Sequence, residues 1–404
     1  GLGDVYKRQI PYRAYWSTPF ARWQGSFAHL HSIEFAAHVA KGALAERNLT
    51  VDVFDFAAYG LTVPQFGSFY GTPWFTGLMG AEHLPGPTVN QACATGARLI
   101  ATARGEFATG GAEVALLVSG DRTSNGPHAY YPAPEAPGGS GKSELIVIDN
   151  FNRDPFAKCA MVDTADNVAR KFGISTTEQH EVAAHRYEQY QDAVKDDRAF
   201  QKRYMADAFE VPDARYRKTV GTLSGDEGIY PAAPEKMATL KPVRENGSVT
   251  FAGQTHPADG SAGIVMTANA GRAKELSPIE GGPTIEVHSV AQGRDERAHM
   301  PAAPIRAAKR ALELADLKIG DIDVFKSHNP FAVNDIAFAK AFDLDWRKMN
   351  NFGSSLIWGH PQGPTGLRAI IEMIEELELR GGGKGLFQGC AAGDSAMAVV
   401  VAVS

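Results

Sequence analysis

Cysteine is scarce in this chain, whose 404 residues include only Cys93, Cys159 and Cys390. An odd and sparse count in a long chain excludes a disulfide framework and favours a reducing compartment, so we expect a cytoplasmic protein. No cysteines stand at C-x-x-C spacing, and no histidine pair stands at H-x-x-x-H spacing within an acidic cluster. The sequence therefore predicts no metal site.

Long apolar runs and an excess of positive charge are also absent. No stretch of about 18 apolar residues occurs, so no transmembrane helix is expected. The first ten residues, GLGDVYKRQI, lack the apolar region and cleavage site of a secretory signal. The net charge of −6 gives no general basic surface for nucleic acid or an anionic membrane.

The chain does contain enough apolar residues for two or three domains with large cores. Hydrophobic residues make up 44% of the sequence and charged residues 21%, as in globular proteins. Helix and strand patterns alternate along much of the chain, which favours an α/β fold.

The strongest pattern lies in residues 350–404. His360 stands between a glycine and a proline, and an apolar stripe at helical spacing follows it. The stripe consists of Leu367, Ile370, Ile371, Ile374 and Leu377. Glycines 381–383 end the predicted helix, a strand then ends at Cys390, and residues 395–403 predict a buried return strand. Because the helix doubles back on its strand, we expect His360 and Cys390 to meet.

Cys93 is the candidate nucleophile. It follows a short apolar segment and precedes a predicted helix through Leu99, Ile100 and Phe107. The positive end of a helix dipole favours a thiolate, so we expect a lowered pKa for Cys93. Gly96 in the first turn would let a substrate approach the helix closely.

Four blocks carry a family resemblance: NQACATG around Cys93, SHNPFA around His328, GHPQGPTG around His360 and CAAGDSA around Cys390. They resemble the active-site blocks of thiolases, the acyl-CoA C-acyltransferases, in the family's order and at roughly its spacing. The segment that begins at Met161 also resembles the family's middle region. The resemblance covers nearly the whole chain from about Pro11 onward.

The resemblance implies a thiolase-like duplicated α/β/α/β/α layered core with an inserted loop domain. Residues 1–120 with 249–280 would form the N-terminal core half, and residues 281–404 the C-terminal half. Residues 121–248 would form the loop domain that holds coenzyme A. A repeated order of helix, glycine run and apolar strand in the two halves supports this duplication.

The resemblance also implies roles for the four blocks. Cys93 would carry the acyl group, and His360 would deprotonate it. Cys390 would move the α-proton of a second acyl-CoA, and His328 would hold the thioester oxygen together with His360. Backbone N–H groups at Cys93 and around Ala392 would form a second oxyanion hole.

Further expectations concern the ligands and partners. Coenzyme A would be substrate or product, with no permanently bound cofactor. The family suggests a homodimer or homotetramer, and an accessory subunit occurs in some relatives. Six residues are expected to contact the substrate: Met161, His256, Phe331, Trp358, Ala392 and Gly393. Ala392, Asp394 and Ala396 stand where the family usually has glycine, so the turn after Cys390 is expected to differ.

The expected activity is the making or cleaving of a 3-oxoacyl-CoA through an acyl-cysteine. Two alternatives remain: a condensing enzyme like the β-ketoacyl synthases, and a catalytically degenerate acyl or lipid carrier on the same fold. Aromatic residues near the blocks favour a bulky or aromatic acyl group. They are Phe69, Tyr70, Trp74, Phe75, Phe331, Phe352 and Trp358.

Overall fold

Two β-sheets with helices between and outside them form the core of the computed structural model, which describes residues 8–404. The strands are β1 (Tyr15–Ser17), β2 (Ala21–Arg22), β3 (Phe56–Gly60), β4 (Thr88–Val89), β5 (Val114–Arg122), β6 (His128–Tyr131), β7 (Lys142–Leu145), β8 (Phe209–Pro212), β9 (Thr219–Leu223), β10 (Ala258–Thr267), β11 (Ile285–Arg294), β12 (Val324–His328), β13 (Gly383–Ala391) and β14 (Ser395–Val403). The α-helices are α1 (Ser32–Glu46), α2 (Thr72–Met79), α3 (Thr95–Thr109), α4 (Ile146–Asn152), α5 (Met161–Phe172), α6 (Thr176–Arg198), α7 (Pro234–Met237), α8 (Ala270–Glu275), α9 (Ala303–Ala315), α10 (Ala332–Phe342), α11 (Ser355–Trp358) and α12 (Gly363–Leu379).

The first sheet has the order β1-β10-β5-β3-β4, with β2 also paired to β10, and the second has the order β11-β14-β13-β12. Side chains of β5 alternate between two apolar clusters, as expected for a strand covered on both faces. Ala115 and Leu117 pack with α3 and α12, whereas Leu116 and Val118 pack with α1. The second sheet is covered in the same way, because α3 and α12 lie on one face and α9 lies on the other. The layers are therefore α/β/α/β/α, and the predicted fold class is confirmed.

The two halves repeat one topology around the two central helices. In the first half β3 runs parallel to β5, and β10 pairs antiparallel with β5. In the second half β12 runs parallel to β13, and β14 pairs antiparallel with β13. Residues 123–257 separate β5 from β10, whereas three residues separate β13 from β14. The insertion predicted at 121–248 lies within the longer connection except for its first two residues, which end β5, and its limits as a domain stay a prediction.

The apolar stripe predicted for the C-terminal helix is confirmed, since its five residues are fully buried in α12. A capping box begins α6. Ser175 Oγ accepts the Glu178 N–H at 3.1 Å, and the Glu178 carboxylate accepts the Ser175 N–H at 2.9 Å. The Pro- and Gly-rich segment 126–142 includes β6, which pairs with β7 as a hairpin.

Gly96 brings the two central helices into close contact. A Cβ built on Gly96 would lie 2.6 Å from Leu367 N and 2.9 Å from Gly363 O, both in α12. Gly96 is buried between helices, so its expected role in admitting a substrate is wrong. Glycine is required here because two backbones meet without room for a side chain.

We predict that Gly96→Ala separates α3 from α12 and lowers both stability and activity. Backbone atoms cannot retreat as a flexible side chain would, so the expected loss is about 1–3 kcal/mol, as for overpacked cores. Gly105→Ala in the same helix is the control, since nothing lies within 4 Å of its Cβ position. That change should stabilise the protein by about 0.5–1 kcal/mol. Equal unfolding free energies for the two variants in urea would contradict the prediction.

Candidate active site

Cys93 lies in a tight turn between β4 and α3. Ala92, just before it, has a φ of 45°, a conformation that non-glycine residues rarely adopt. Thr95 stabilises this turn, because its hydroxyl accepts the Gln91 N–H at 2.8 Å and donates to the Ala92 carbonyl at 2.7 Å. The turn leaves the Cys93 side chain partly exposed, in the wall of a large cavity.

His328 and His360 are stacked beside Cys93, with ring centroids 4.0 Å apart. His328 ends β12, and His360 stands three residues before α12. Their Nδ1 atoms contact hydroxyls: His328 contacts Ser355 Oγ at 2.9 Å, and His360 contacts Thr365 Oγ1 at 2.7 Å. Both Nε2 atoms are buried without a hydrogen-bond partner in the protein. The Cys93 sulfur and one nitrogen of each ring lie within 4.8 Å of one another.

Cys390 is fully buried near the end of β13, behind Cys93. The Asn334 amide donates to its sulfur at 3.3 Å. In the following turn the positive φ angles fall on Gly393, at 80°, and Asp394, at 57°. Ala392 needs no left-handed conformation, so it fits the turn. The Asp394 carboxylate accepts the Ala298 and His299 N–H groups, both at 2.9 Å, and fixes the turn in place.

The cavity has a volume of about 1110 Å³. Four residues expected at the substrate line it: Met161, His256, Phe331 and Ala392. Cys93 and His360 also line it, whereas His328 and Cys390 lie behind its wall. Gly393 lies in the turn outside the lining, so the structure does not support its expected contact with the substrate.

Trp358 also lies outside the cavity, and its expected role in the acyl pocket is wrong. It is fully buried, packs edge-on against Phe20 at 5.3 Å, and has the Arg368 guanidinium 4.4 Å above its ring. Phe352 stacks on Phe200, and Phe75 on Tyr59. Two more of the expected aromatics, Phe69 and Tyr70, are exposed on the surface. The side chains of these aromatic residues therefore fill the core or face solvent. Of the aromatic residues expected at the acyl pocket, Phe331 lines the cavity.

Burial keeps the four reactive groups neutral. Although the Cys93 side chain is partly exposed to the cavity, desolvation by the surrounding protein raises its pKa to about 12, and the backbone N–H groups of Ala392 and of Cys93 itself oppose the shift. Burial lowers the pKa of His328 to about 3, and burial together with the neighbouring His328 and His256 lowers that of His360 well below its usual range. Burial also raises the pKa of Cys390. The expected lowering of the Cys93 pKa is wrong, because desolvation of the thiolate outweighs the helix dipole here.

Comparison with known proteins decides the family. A sequence model of the thiolase N-terminal domain matches residues 14–270, and one of the thiolase C-terminal domain matches residues 283–403. The chain belongs to the thiolase family. The two matches cover nearly the whole sequence, and the molecule is a thiolase-type acyltransferase.

Curated thiolases resemble this chain over almost their full length. Beta-ketothiolase BktB of Cupriavidus necator is 28% identical over 392 residues, which cover 95% of this chain and 96% of that protein. The acetyl-CoA acetyltransferase of Escherichia coli is 28% identical over 397 residues, with the same coverage. Human mitochondrial 3-ketoacyl-CoA thiolase shares the fold, with a TM-score of 0.88, 23% identity, and coverage of 99% of this chain and 100% of that one. Among residues 8–404, no helix has the length and apolar character needed to cross a membrane.

Three polar residues of this thiolase site were not predicted from the sequence. Ser355 and Thr365 orient the two imidazole rings, and Asn334 contacts the buried thiol. Thr365 lies inside the GHPQGPTG block and Asn334 follows the SHNPFA block by two residues, so the blocks themselves held a signal for both. Ser355 comes from α11, and only the fold brings it to His328.

We predict that the resting Cys93 thiol of this thiolase is alkylated slowly at neutral pH. A raised pKa means that the thiolate fraction, and with it the iodoacetamide rate, increases about tenfold per pH unit through pH 6–9. Mass spectrometry of a Cys159→Ser variant would locate the label on Cys93. A rate that levels off below pH 8 would show a thiolate-stabilising site and contradict the prediction.

Proposed function

We propose that this thiolase makes or cleaves a 3-oxoacyl-CoA through an acyl group on Cys93. The main support is twofold: the Nε2 atoms of His328 and His360 are buried and unpartnered, and one nitrogen of each ring lies within 4.8 Å of the Cys93 sulfur. Unsatisfied buried nitrogens are unfavourable unless a substrate completes their hydrogen bonds.

In the first step, the Cys93 sulfur attacks a thioester carbonyl while its proton passes to His360 Nε2. His360 can act as this base if its Nδ1–H donates to Thr365 Oγ1, which leaves Nε2 bare. The oxyanion would accept the Nε2–H of His328, whose Nδ1 would then accept the Ser355 hydroxyl proton. The intermediate collapses to acyl-Cys93, and the CoA thiolate leaves with the proton from His360.

In the second step, the Cys390 thiol would first give its proton to His360, and the resulting thiolate would remove the α-proton of another acyl-CoA. The carbanion then attacks the acyl-Cys93 carbonyl, the C–C bond forms as the C–S bond to Cys93 breaks, and His360 returns its proton to the departing Cys93 sulfur. The backbone N–H groups of Cys93 and Ala392 both face that sulfur and would hold the second oxyanion. The Asn334 amide would stabilise the Cys390 thiolate that must form transiently.

Coenzyme A would enter through the cavity as substrate or product. Human mitochondrial 3-ketoacyl-CoA thiolase, similar in fold with a TM-score of 0.86 and 24% identity, has been solved in complex with CoA. In this chain, exposed Lys236 and Arg244 lie on the cavity lining and could contact phosphates, although Arg244 is paired with Asp163 at 2.7 Å. Residues 121–248 supply both, together with Met161, which supports their assignment as the CoA-holding loop domain. No permanently bound cofactor is needed for this chemistry.

Removal of each of the two thiols should block a different step of the reaction. Cys93→Ser should form no covalent acyl-enzyme, because an alcohol in this neutral site is a far weaker nucleophile. Cys390→Ala should still acylate but lose C–C bond formation by about 10²–10⁴-fold, the usual contribution of a proton-transfer group. Intact-protein mass spectrometry with acyl-CoA, and a coupled assay, would measure the two effects.

The same experiment separates the alternatives. A degenerate carrier would bind acyl-CoA without a covalent adduct in the wild type. A β-ketoacyl synthase-like enzyme would condense in the Cys390→Ala variant, because such enzymes use histidines for that step. Equal acylation of the wild type and Cys93→Ser would refute the role of Cys93.

We further propose an acyl group larger than acetyl. Support comes from the large cavity and from the apolar side chains of Met161, Phe331, Leu356 and Ile357 on its lining. At about 0.8 kcal/mol per buried CH₂, each added methylene should raise kcat/KM about fourfold until the pocket is full. A series from acetoacetyl-CoA to longer and aromatic 3-oxoacyl-CoAs would test this. A strong preference for acetoacetyl-CoA over every larger substrate would contradict it.

We also infer a homodimer, or a homotetramer built from such dimers. β4 is the edge of its sheet, and exposed Phe66, Phe69 and Tyr70 lie in the segment leading to it. An open edge beside exposed aromatics favours pairing with a second copy. Phe69→Asp should weaken self-association in light scattering, whereas Leu314→Asp, which changes an exposed leucine of α9, should not. A monomeric wild type would contradict the inference.

Three free cysteines favour a cytoplasmic location.

A further inference from the structure

The Cys93 cluster has the composition of a zinc site with one open position. Within residues 8–404 it is the one group of three ligating side chains close enough to share an ion, with donor atoms within 4.8 Å of one another. One thiol and two imidazoles suit a divalent ion of borderline softness. A tetrahedral Zn²⁺ needs donor atoms about 3.3–3.6 Å apart, so the three side chains, including the two stacked rings, would have to draw together around the ion.

The environment of the two histidines suits a metal ion as well as a substrate. Each Nε2 is buried and unpartnered. Each Nδ1 contacts a hydroxyl oxygen, which can fix the ring in the way that carboxylates, backbone carbonyls and waters fix metal-bound histidines. Cys93 and His360 line the cavity, so a fourth position would remain open to water.

Ser355 allows the tautomer that metal binding requires. Its Oγ lies 2.9 Å from His328 Nδ1 and also 3.2 Å from Asn329 Oδ1. When the hydroxyl donates to Asn329, it can accept the Nδ1–H of His328, and His328 Nε2 then presents a lone pair. Rotation of one hydroxyl therefore converts His328 from an oxyanion donor to a metal ligand.

We propose that Cys93, His328 and His360 form an inhibitory site for Zn²⁺ and similar divalent ions. Binding forms a bond from the metal to the Cys93 sulfur, breaks its S–H bond and releases that proton to solvent. No oxidation or reduction occurs. The metal would occupy the Cys93 sulfur to which the proposed function attaches the acyl group, so acyl transfer should stop. Because the metal is held only by coordination bonds, a chelator should reverse the inhibition.

Cobalt offers a test that does not depend on activity. Co²⁺ added to a Cys159→Ser variant without substrate should give one equivalent of a tetrahedral spectrum with a thiolate-to-cobalt charge-transfer band, which Zn²⁺ then removes. Cys93→Ser should lose the charge-transfer band, and His328→Ala and His360→Ala should weaken Zn²⁺ binding by at least about 100-fold. Cys390→Ala and His83→Ala, an exposed histidine, are the controls and should bind normally.

Alkylation of Cys93 in the Cys159→Ser background should also abolish the band, which covers the case that a variant fails to fold. Absence of the band in excess Co²⁺, or its survival in Cys93→Ser or after alkylation, would overturn the proposal. So would full Zn²⁺ affinity in both folded histidine variants. Because no substrate is present, failure here would leave the proposed acyl transfer untouched.

Discussion

The close approach of two helix backbones is the constraint on which the site depends. Gly96 of α3 meets the first turn of α12, and Gly366 of α12 lies against Ala97 in return. At the same end of α12, a Cβ on Gly363 would lie 2.4 Å from Ser119 Oγ. Cys93 precedes one helix and His360 precedes the other, so this contact sets the distance between thiol and imidazole. Backbone packing between α3 and α12 thus positions Cys93 and His360, and Thr365 then contacts the His360 ring.

Charge is distributed in an unusual way around this contact. The four reactive groups are neutral, whereas the helix behind them carries buried ions that are all paired. Arg368 binds Asp226 at 2.5 and 2.8 Å, and Glu372 accepts from Arg368 at 3.1 Å and from Lys326 at 2.9 Å. A buried ion without its partner is strongly destabilising. Charge that develops in the reactive cluster would need a partner too, and in the proposed function a carbonyl oxygen of the substrate takes part as the oxyanion.

The sequence revealed local patterns well and long-range contacts poorly. The buried stripe of α12 and the four blocks were readable because period and residue type belong to short segments. The expected place of Trp358 in the acyl pocket is wrong because its ring packs against Phe20, which is distant along the chain, and against Arg368, which lies on α12. The pKa of Cys93 was misjudged for a related reason: helix position is visible in the sequence, whereas desolvation depends on everything that surrounds the thiol. Gly96 suggests, from the sequence, room for a ligand beside the helix, whereas in the fold a second helix, α12, packs against it.

The long connection between β5 and β10 starts and ends at almost the same point, since Arg122 and Asp259 are partners across the two strands. In the other half, the three-residue turn at Ala392–Asp394 fills the equivalent place. A segment whose ends are already held together can change length or sequence at little entropic expense to the rest. The first connection can therefore vary in length and sequence without disturbing the strands, whereas its counterpart is a short turn that directly follows the strand of Cys390.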